Sequence, residues 1–227
     1  MISASQDAAL LSILHQDDWL IAVDKPAGYL VHPSSDPKPE DLVVMKILRD
    51  QIEQKIHVIH RLDQPTSGVL LFATHQAAAK KLRRAFEMRE VAKTYLAMVL
   101  GHPSRDEWIC EEALVKNEGD LAQLARTSFS VMERLSENLS LVEARPETGR
   151  FHQIRKHLLH EGHPIVGDFR YHDIDECFAM GKKLGIGTRM LLQAKTLELT
   201  HPMTREKLII EAPLDLMISQ TWLNQPK

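Results

Sequence analysis

The sequence predicts an α+β fold, a single domain with a mixed, mainly antiparallel sheet flanked by helices. Three observations lead there. Short apolar runs rich in branched residues are interspersed with amphipathic stretches, without a strict strand–helix–strand rhythm. Several of these runs are joined by brief turn-forming segments, as hairpins are. The chain has 227 residues, 44% of them hydrophobic and 26% charged, enough to bury one substantial core.

Residues 13–14 and 19–23 read as extended chain, and Lys25-Pro26-Ala27-Gly28 as a turn. Extended chain resumes at 29–31. A loop at 34–39 leads into a helix in which Leu42, Met45, Leu48 and Ile52 recur at helical spacing, with Glu40 and Asp41 in its first turn. Residues 56–59 and 69–73 read as buried strands. Between them stands His60-Arg61-Leu62-Asp63-Gln64-Pro65-Thr66-Ser67-Gly68, dense in charge and turn formers. Residues 76–89 form a helix with Leu82, Ala85 and Phe86 as its apolar stripe, and 91–100 a strand ended by Gly101-His102-Pro103. Strands follow at 108–115, 127–135 and 139–144, the first two around a polar loop at 117–120. Thr148-Gly149-Arg150 opens a helix running from Phe151 to about Glu161, which Gly162 closes. A helix at 174–184, a hairpin of 190–200 with 207–211, and a terminal helix at 214–223 complete the chain. Residues 1–10 read as a short tail ahead of one domain over 11–227, and no internal repeat is present.

Composition narrows the function. The net charge of −3 argues against broad nonspecific binding of nucleic acid, yet leaves room for one shaped site. No apolar run approaches the roughly 20 residues of a membrane helix. The first residues lack the basic start of a signal peptide. Cys110 and Cys177 lie far apart, which suits reduced thiols in a cytoplasm.

Individual residues carry more. Arg61 and Asp63 alternate with Leu62, so in extended chain they point to one side, at the end of two core strands. Taken alone, such a pattern most often marks an exposed ion pair. Lys80, Lys81, Arg83 and Arg84 put four cations into five residues with no acid among them. That is either a solvated face or a row of phosphate contacts. His152, His157, His160 and His163 are spaced for a metal. No Cys-x-x-Cys, His-Glu-x-x-His or acidic cluster completes a site, so no metal is expected. Tyr95 shares a side of its strand with Lys93, where a rim or core tyrosine is the ordinary meaning. Arg155 follows Arg150 and His152 near a helix N-terminus, a favourable place for an anion. No P-loop, dinucleotide glycine pattern or nucleophile elbow is present.

Four stretches together resemble the pseudouridine synthases of the large-subunit rRNA type A family. They are Asp24-Lys25-Pro26-Ala27-Gly28, His60 to Gly68, Lys93-Thr94-Tyr95, and Thr148 to Arg155 followed by Gly162-His163-Pro164-Ile165-Val166-Gly167-Asp168. The resemblance implies that Asp63 is the catalytic residue. It implies that Tyr95 stacks on the target base, that Arg155 pairs with the catalytic carboxylate and keeps it ionised, and that Arg61 fills the space a flipped base leaves. Phe151 stands where Thr or Ser is usual, and Gln193 where His is usual. The family's reaction is an isomerisation with no redox change or group donor, so no cofactor is implied. The implied partner is RNA. The first fifty residues look closest to the branch that modifies uridine 65 of tRNA, with no S4-like module, acting as a monomer in the cytoplasm. The alternatives are a ribosomal RNA substrate, a noncatalytic RNA-binding module, and a glycoside or nucleoside hydrolase. The last needs a second carboxylate flanking the scissile bond.

Overall fold

The computed structural model describes residues 10–117, 119–135 and 138–223. The expected tail, Leu10 apart, lies outside the described residues, as does Glu118 of the polar loop. The strands are β1 (Ser12–Gln16), β2 (Leu20–Lys25), β3 (His57–Val58), β4 (Ser67–Ala73), β5 (Ala92–Leu100), β6 (Glu107–Cys110), β7 (Thr127–Leu135), β8 (Leu139–Pro146), β9 (Leu192–Thr200) and β10 (Lys207–Glu211). The helices are α1 (Val44–Ile52), α2 (Gln76–Glu87), α3 (Gln153–His160), α4 (Ile174–Leu184) and α5 (Leu216–Leu223). One sheet runs β1-β2-β4-β9-β5-β8-β7-β6, with β3 beside β4 and β10 beside β9. β4 and β9 pair in parallel, through Ser67 with Gln193 and Gly68 with Ala194, and the other named strands pair antiparallel. The expected α+β architecture with a mainly antiparallel sheet is what forms.

Period-two alternation decides how the sheet is covered. Leu20, Ala22, Val69, Leu71 and Ala73 point to one face, against Ala78, Ala79 and Leu82 of α2. Ile21, Val23, Leu70 and Phe72 point to the other, against Val44 and Leu48 of α1. In the second half of the sheet, Ala97, Val99, Val142 and Ala144 meet Ile154 and Leu158 of α3. Leu96, Met98, Leu139 and Leu141 face Ile218 of α5. β2 and β4 are therefore apolar on both faces, as their uninterrupted runs predict. Among the described residues, no helix is long and apolar enough to cross a membrane.

Several boundaries differ from the sequence-based expectation. The first helix starts at Val44, so Glu40 and Asp41 are not in its first turn. Residues 42–43 are instead held extended beside Leu30, whose N–H donates to the Leu42 carbonyl and whose carbonyl accepts from the Val44 N–H. The helix expected from Phe151 begins at Gln153, because His152 adopts φ 55°. The helix expected to reach Arg89 stops at Glu87, and Arg89 takes φ 60°. β6 ends at Cys110 rather than near Val115, where the chain leaves the sheet and the Glu112 carbonyl accepts from His157 Nε2 of α3.

Candidate active site

The loop between β3 and β4 carries Asp63, and four anchors fix it. The Leu71 N–H donates to His60 Nε2 at 3.0 Å, and the His60 ring stacks on Phe86 of α2 at 4.8 Å. Burial pushes His60 down to about 3, so this nitrogen stays a bare acceptor at neutral pH. Leu62 is buried, which turns Arg61 and Asp63 outward together. The Thr66 N–H donates to the Asp63 carbonyl and closes a turn. Gln64 and Gly28 clamp one another, the Gly28 N–H donating to the Gln64 carbonyl and Gln64 Nε2 to the Gly28 carbonyl.

Beneath that clamp lies Lys25, whose side chain is wholly buried. Its Nζ donates to the carbonyls of Pro26, Tyr29 and Gln64 at 2.9, 2.8 and 3.0 Å. Burial pulls its pKa down to about 7, against the attraction of Asp63. The 25–28 turn thus acts as the footing of the Asp63 loop.

Tyr95 enters from β5, beside a break in the β5–β9 register. It packs against residues of both sheet halves and lines, with Asp63, a cavity of about 130 Å³. That cavity opens into a wider cleft of about 620 Å³, lined also by Arg61, Arg89, Lys93, Lys116 and Arg150. Burial, and then the Asp63 charge, push the Tyr95 phenol up, so it stays protonated.

Arg155 comes from α3. It is 4% exposed. It also has a partner the sequence reading did not assign. Its Nε and Nη2 donate to Asp168 Oδ2 and Oδ1 at 2.8 and 2.6 Å, a bidentate pair, while Nη1 reaches Asp63 Oδ2 at 3.4 Å. The Arg155 guanidinium lies 5.0 Å from the centre of the Tyr171 ring. Desolvation outweighs the pull of Arg155, and Asp63 is shifted upward from 3.8.

The 148–152 loop completes the cavity. Gln153 pins it to β7, its Oε1 accepting from Thr148 and the Arg150 N–H, its Nε2 donating to the Arg126 carbonyl and Thr127. Phe151, one of the two departures from the family pattern, stacks on His152 with ring centres 3.7 Å apart. Gln193, the other, is buried under the β4–β9 pairing; its Nε2 donates to the Pro213 carbonyl and its Oε1 accepts from the Asp215 N–H.

The structure thus brings Arg61, Asp63, Tyr95 and Arg155 to one cleft, the last two from separate elements. Lys80, Lys81, Arg83 and Arg84 are exposed on α2 and do not line it. Lys81 donates to the Pro202 carbonyl and Arg83 to that of Val58, so the four spread around the helix rather than forming one row. Among the described residues, no group of three or more His, Cys, Asp or Glu side chains is arranged for a metal. His157 spends both ring nitrogens on Thr127 and the Glu112 carbonyl. Asp168, Lys25 and His152 are the neighbours that sequence reasoning left without a role in this cleft. A buried arginine demands a carboxylate partner, and that demand is the signal for Asp168.

The known proteins most informative here share both sequence and shape. A family model described as RNA pseudouridylate synthase matches residues 19–160. The tRNA pseudouridine synthase C of Salmonella typhimurium is 38% identical over 234 residues, covering 94% of this chain and 88% of that protein. The enzyme of the same name from Haemophilus ducreyi is 40% identical over 223 residues, covering 90% of this chain and 91% of that protein. The solved structure of human RNA pseudouridylate synthase domain containing 4 superposes with a TM-score of 0.75 at 26% identity, covering 93% of this chain and 92% of that one. The match runs through the strands and loops that bring Asp63, Tyr95 and Arg155 together, and the chain belongs to the RNA pseudouridylate synthase family.

Proposed function

We propose that this protein converts uridine to pseudouridine in tRNA, with Asp63 as the catalytic carboxylate. One observation carries the assignment of the residue. Asp63 is a carboxylate largely withdrawn from water at the floor of a small cavity, facing Tyr95 and within 3.4 Å of a buried arginine. The tRNA substrate is supported by the names of relatives that match most of the chain.

The reaction breaks the N1–C1′ bond, turns the base and joins C5 to C1′. C5 loses its hydrogen and N1 gains one, so atoms balance without a donor. Whether Asp63 attacks the sugar or takes a sugar proton, its reactive form is the carboxylate. The small cavity admits a base only after it leaves the stack, and Arg61, exposed at the rim and held at 3.2 Å by His32, is set to take its place. Tyr95 offers the stacking face, a contact worth about 1–3 kcal/mol. Arg155, locked by Asp168, is a fixed positive charge beside the carboxylate. The domain over 11–227 works as a monomer in the cytoplasm on this reading.

The test uses RNA whose uridines carry tritium at C5. Label should leave a tRNA transcript on turnover, with uridine 65 the modified position, and should stay on a 23S rRNA fragment. Release from the rRNA fragment alone would overturn the tRNA reading. Tight RNA binding without any release would leave a binding module, and free uracil would indicate a hydrolase.

A further inference from the structure

We infer that His152 is a positioning residue for Asp63, held by Tyr171 in the tautomer that carries its hydrogen on Nε2, with that N–H aimed at the Asp63 carboxylate. The inference rests on the reading of Asp63 as the catalytic carboxylate.

The geometry runs inward from the rim. Arg170 stands over Tyr171, its guanidinium carbon 5.9 Å from the ring centre. The Tyr171 hydroxyl lies 2.8 Å from His152 Nδ1, and the inferred arrangement is the one in which the hydroxyl donates. An imidazole that accepts at Nδ1 carries its hydrogen on Nε2. His152 Nε2 lies 3.8 Å from Asp63 Oδ2, on side chains only 10% and 27% exposed. That is longer than a hydrogen bond, and it is the kind of separation that closes when substrate displaces water from a cleft.

The backbone is built for this aim. His152 sits at φ 55°, a left-handed conformation that bends the chain just before α3 and swings the ring into the cavity. Phe151 stacks on one side of the ring and Tyr171 meets it edge-on at 5.5 Å. The ring also stays neutral. Burial first, and then Arg155, Arg170 and Lys156, push it down to about 3 against the pull of Asp168. The groups around Asp63 are Arg155 from α3, Asp168 from the loop that follows α3, Arg61 from its own loop, Lys25 beneath and Tyr95 from β5. His152 would add a neutral N–H donor to that set. A donor to the ionised form lowers a carboxylate's pKa, so His152 opposes the desolvation that raises Asp63.

The experiment compares wild type with His152→Asn, His152→Gln and Tyr171→Phe, measuring kcat/KM for tritium release between pH 5 and 9. Asn tolerates the left-handed backbone and is too short to reach. Gln keeps the reach and an N–H donor. His152→Asn should move the acid limb up by about half a pH unit or more, so that kcat/KM falls roughly threefold or more at the acid end and much less at pH 8. Gln should return the limb toward wild type, and Tyr171→Phe should move it in the Asn direction by less. A uniform loss at every pH with an unmoved limb, or Gln no better than Asn, would overturn the inference. Independently of turnover, ¹⁵N spectra of wild-type His152 should show a protonated Nε2 and a bare Nδ1 at neutral pH. A protonated Nδ1 overturns the inference whatever the enzyme does. The Nε2 tautomer in a protein that turns over no RNA overturns the functional reading instead.

Discussion

Asp63 sits where burial and charge oppose one another, and the balance makes its behaviour testable. Its pKa lies above 3.8, because desolvation outweighs Arg155 and Arg61. The folded chain therefore holds this proton more readily than the unfolded chain does. The sign follows: the ionised carboxylate costs stability at neutral pH, and the cost fades as pH falls through the raised pKa. Asp63→Asn should thus abolish turnover by at least about a hundredfold, some ~2.7 kcal/mol of barrier. It should leave the melting temperature at pH 7 equal to wild type or higher, with the two converging in acid. Arg155 keeps its bidentate partner Asp168 in that variant, so the fold has no orphaned buried charge. A variant that melts well below wild type at pH 7 would contradict this balance. Lys25 gives the opposite experiment. Lys25→Met removes the donor from the Pro26 and Tyr29 carbonyls, at about 1–3 kcal/mol for each buried acceptor left bare. Folding also pulls the Lys25 pKa from 10.5 to about 7, so the unfolded chain binds more protons between those values. Wild-type stability should then rise with pH across that window relative to Lys25→Met. Urea unfolding at pH 7 and pH 9 should show the gap between the two proteins widening.

At the scale of elements, Gly68 is the tightest point. It is the second residue of β4, at φ 104°, and a Cβ there would lie 2.1 Å from the Ala194 carbonyl oxygen of β9. Gly68→Ala must push the two strands apart at their parallel pairing. The expected loss is on the order of 3 kcal/mol or more by urea unfolding, with activity lost alongside because Asp63 hangs from the same strand. Elements of this kind also show what the sequence makes legible. β2 and β4 could be found from their unbroken apolar runs, and β9 with β10 from turn chemistry, because those signals are local. The starts of α1 and α3 were misplaced because Leu30 and the side chain of Gln153 decide them, and both act through contacts that no periodicity carries. The site divides in the same way. Asp63, Arg61, Tyr95 and Arg155 could be named from motifs, each with a chemistry of its own. Asp168, Lys25 and His152 acquire meaning only from what the fold sets beside them.

Across the whole molecule, charge is distributed unevenly for a chain of net charge −3. Arg61, Arg89, Lys93, Lys116 and Arg150 surround the cleft, whereas the cations of α2 stand outside it. Removing a phosphate contact lowers the salt slope of RNA binding by about one unit. Double alanine replacement of Arg89 and Lys116 should therefore flatten the slope by about two units. The same treatment of Lys80 and Arg84 should change it by less if the RNA is held at the cleft. Equal flattening by both pairs would extend the footprint over α2, and a change confined to Lys80 and Arg84 would move it there.

The parallel pairing of β4 with β9, two residue pairs long, lies between the half of the molecule that supplies Asp63 and the half that supplies Tyr95 and Arg155. Asp63 and Arg155 are 92 residues apart in sequence and meet across that junction. Closing so long a loop is slow relative to forming the local hairpins and helices on either side. The chemistry is therefore assembled across that junction rather than by any one part of the chain. A nascent chain released from the ribosome with both halves formed but undocked would contain every residue of the site and yet offer RNA no pocket.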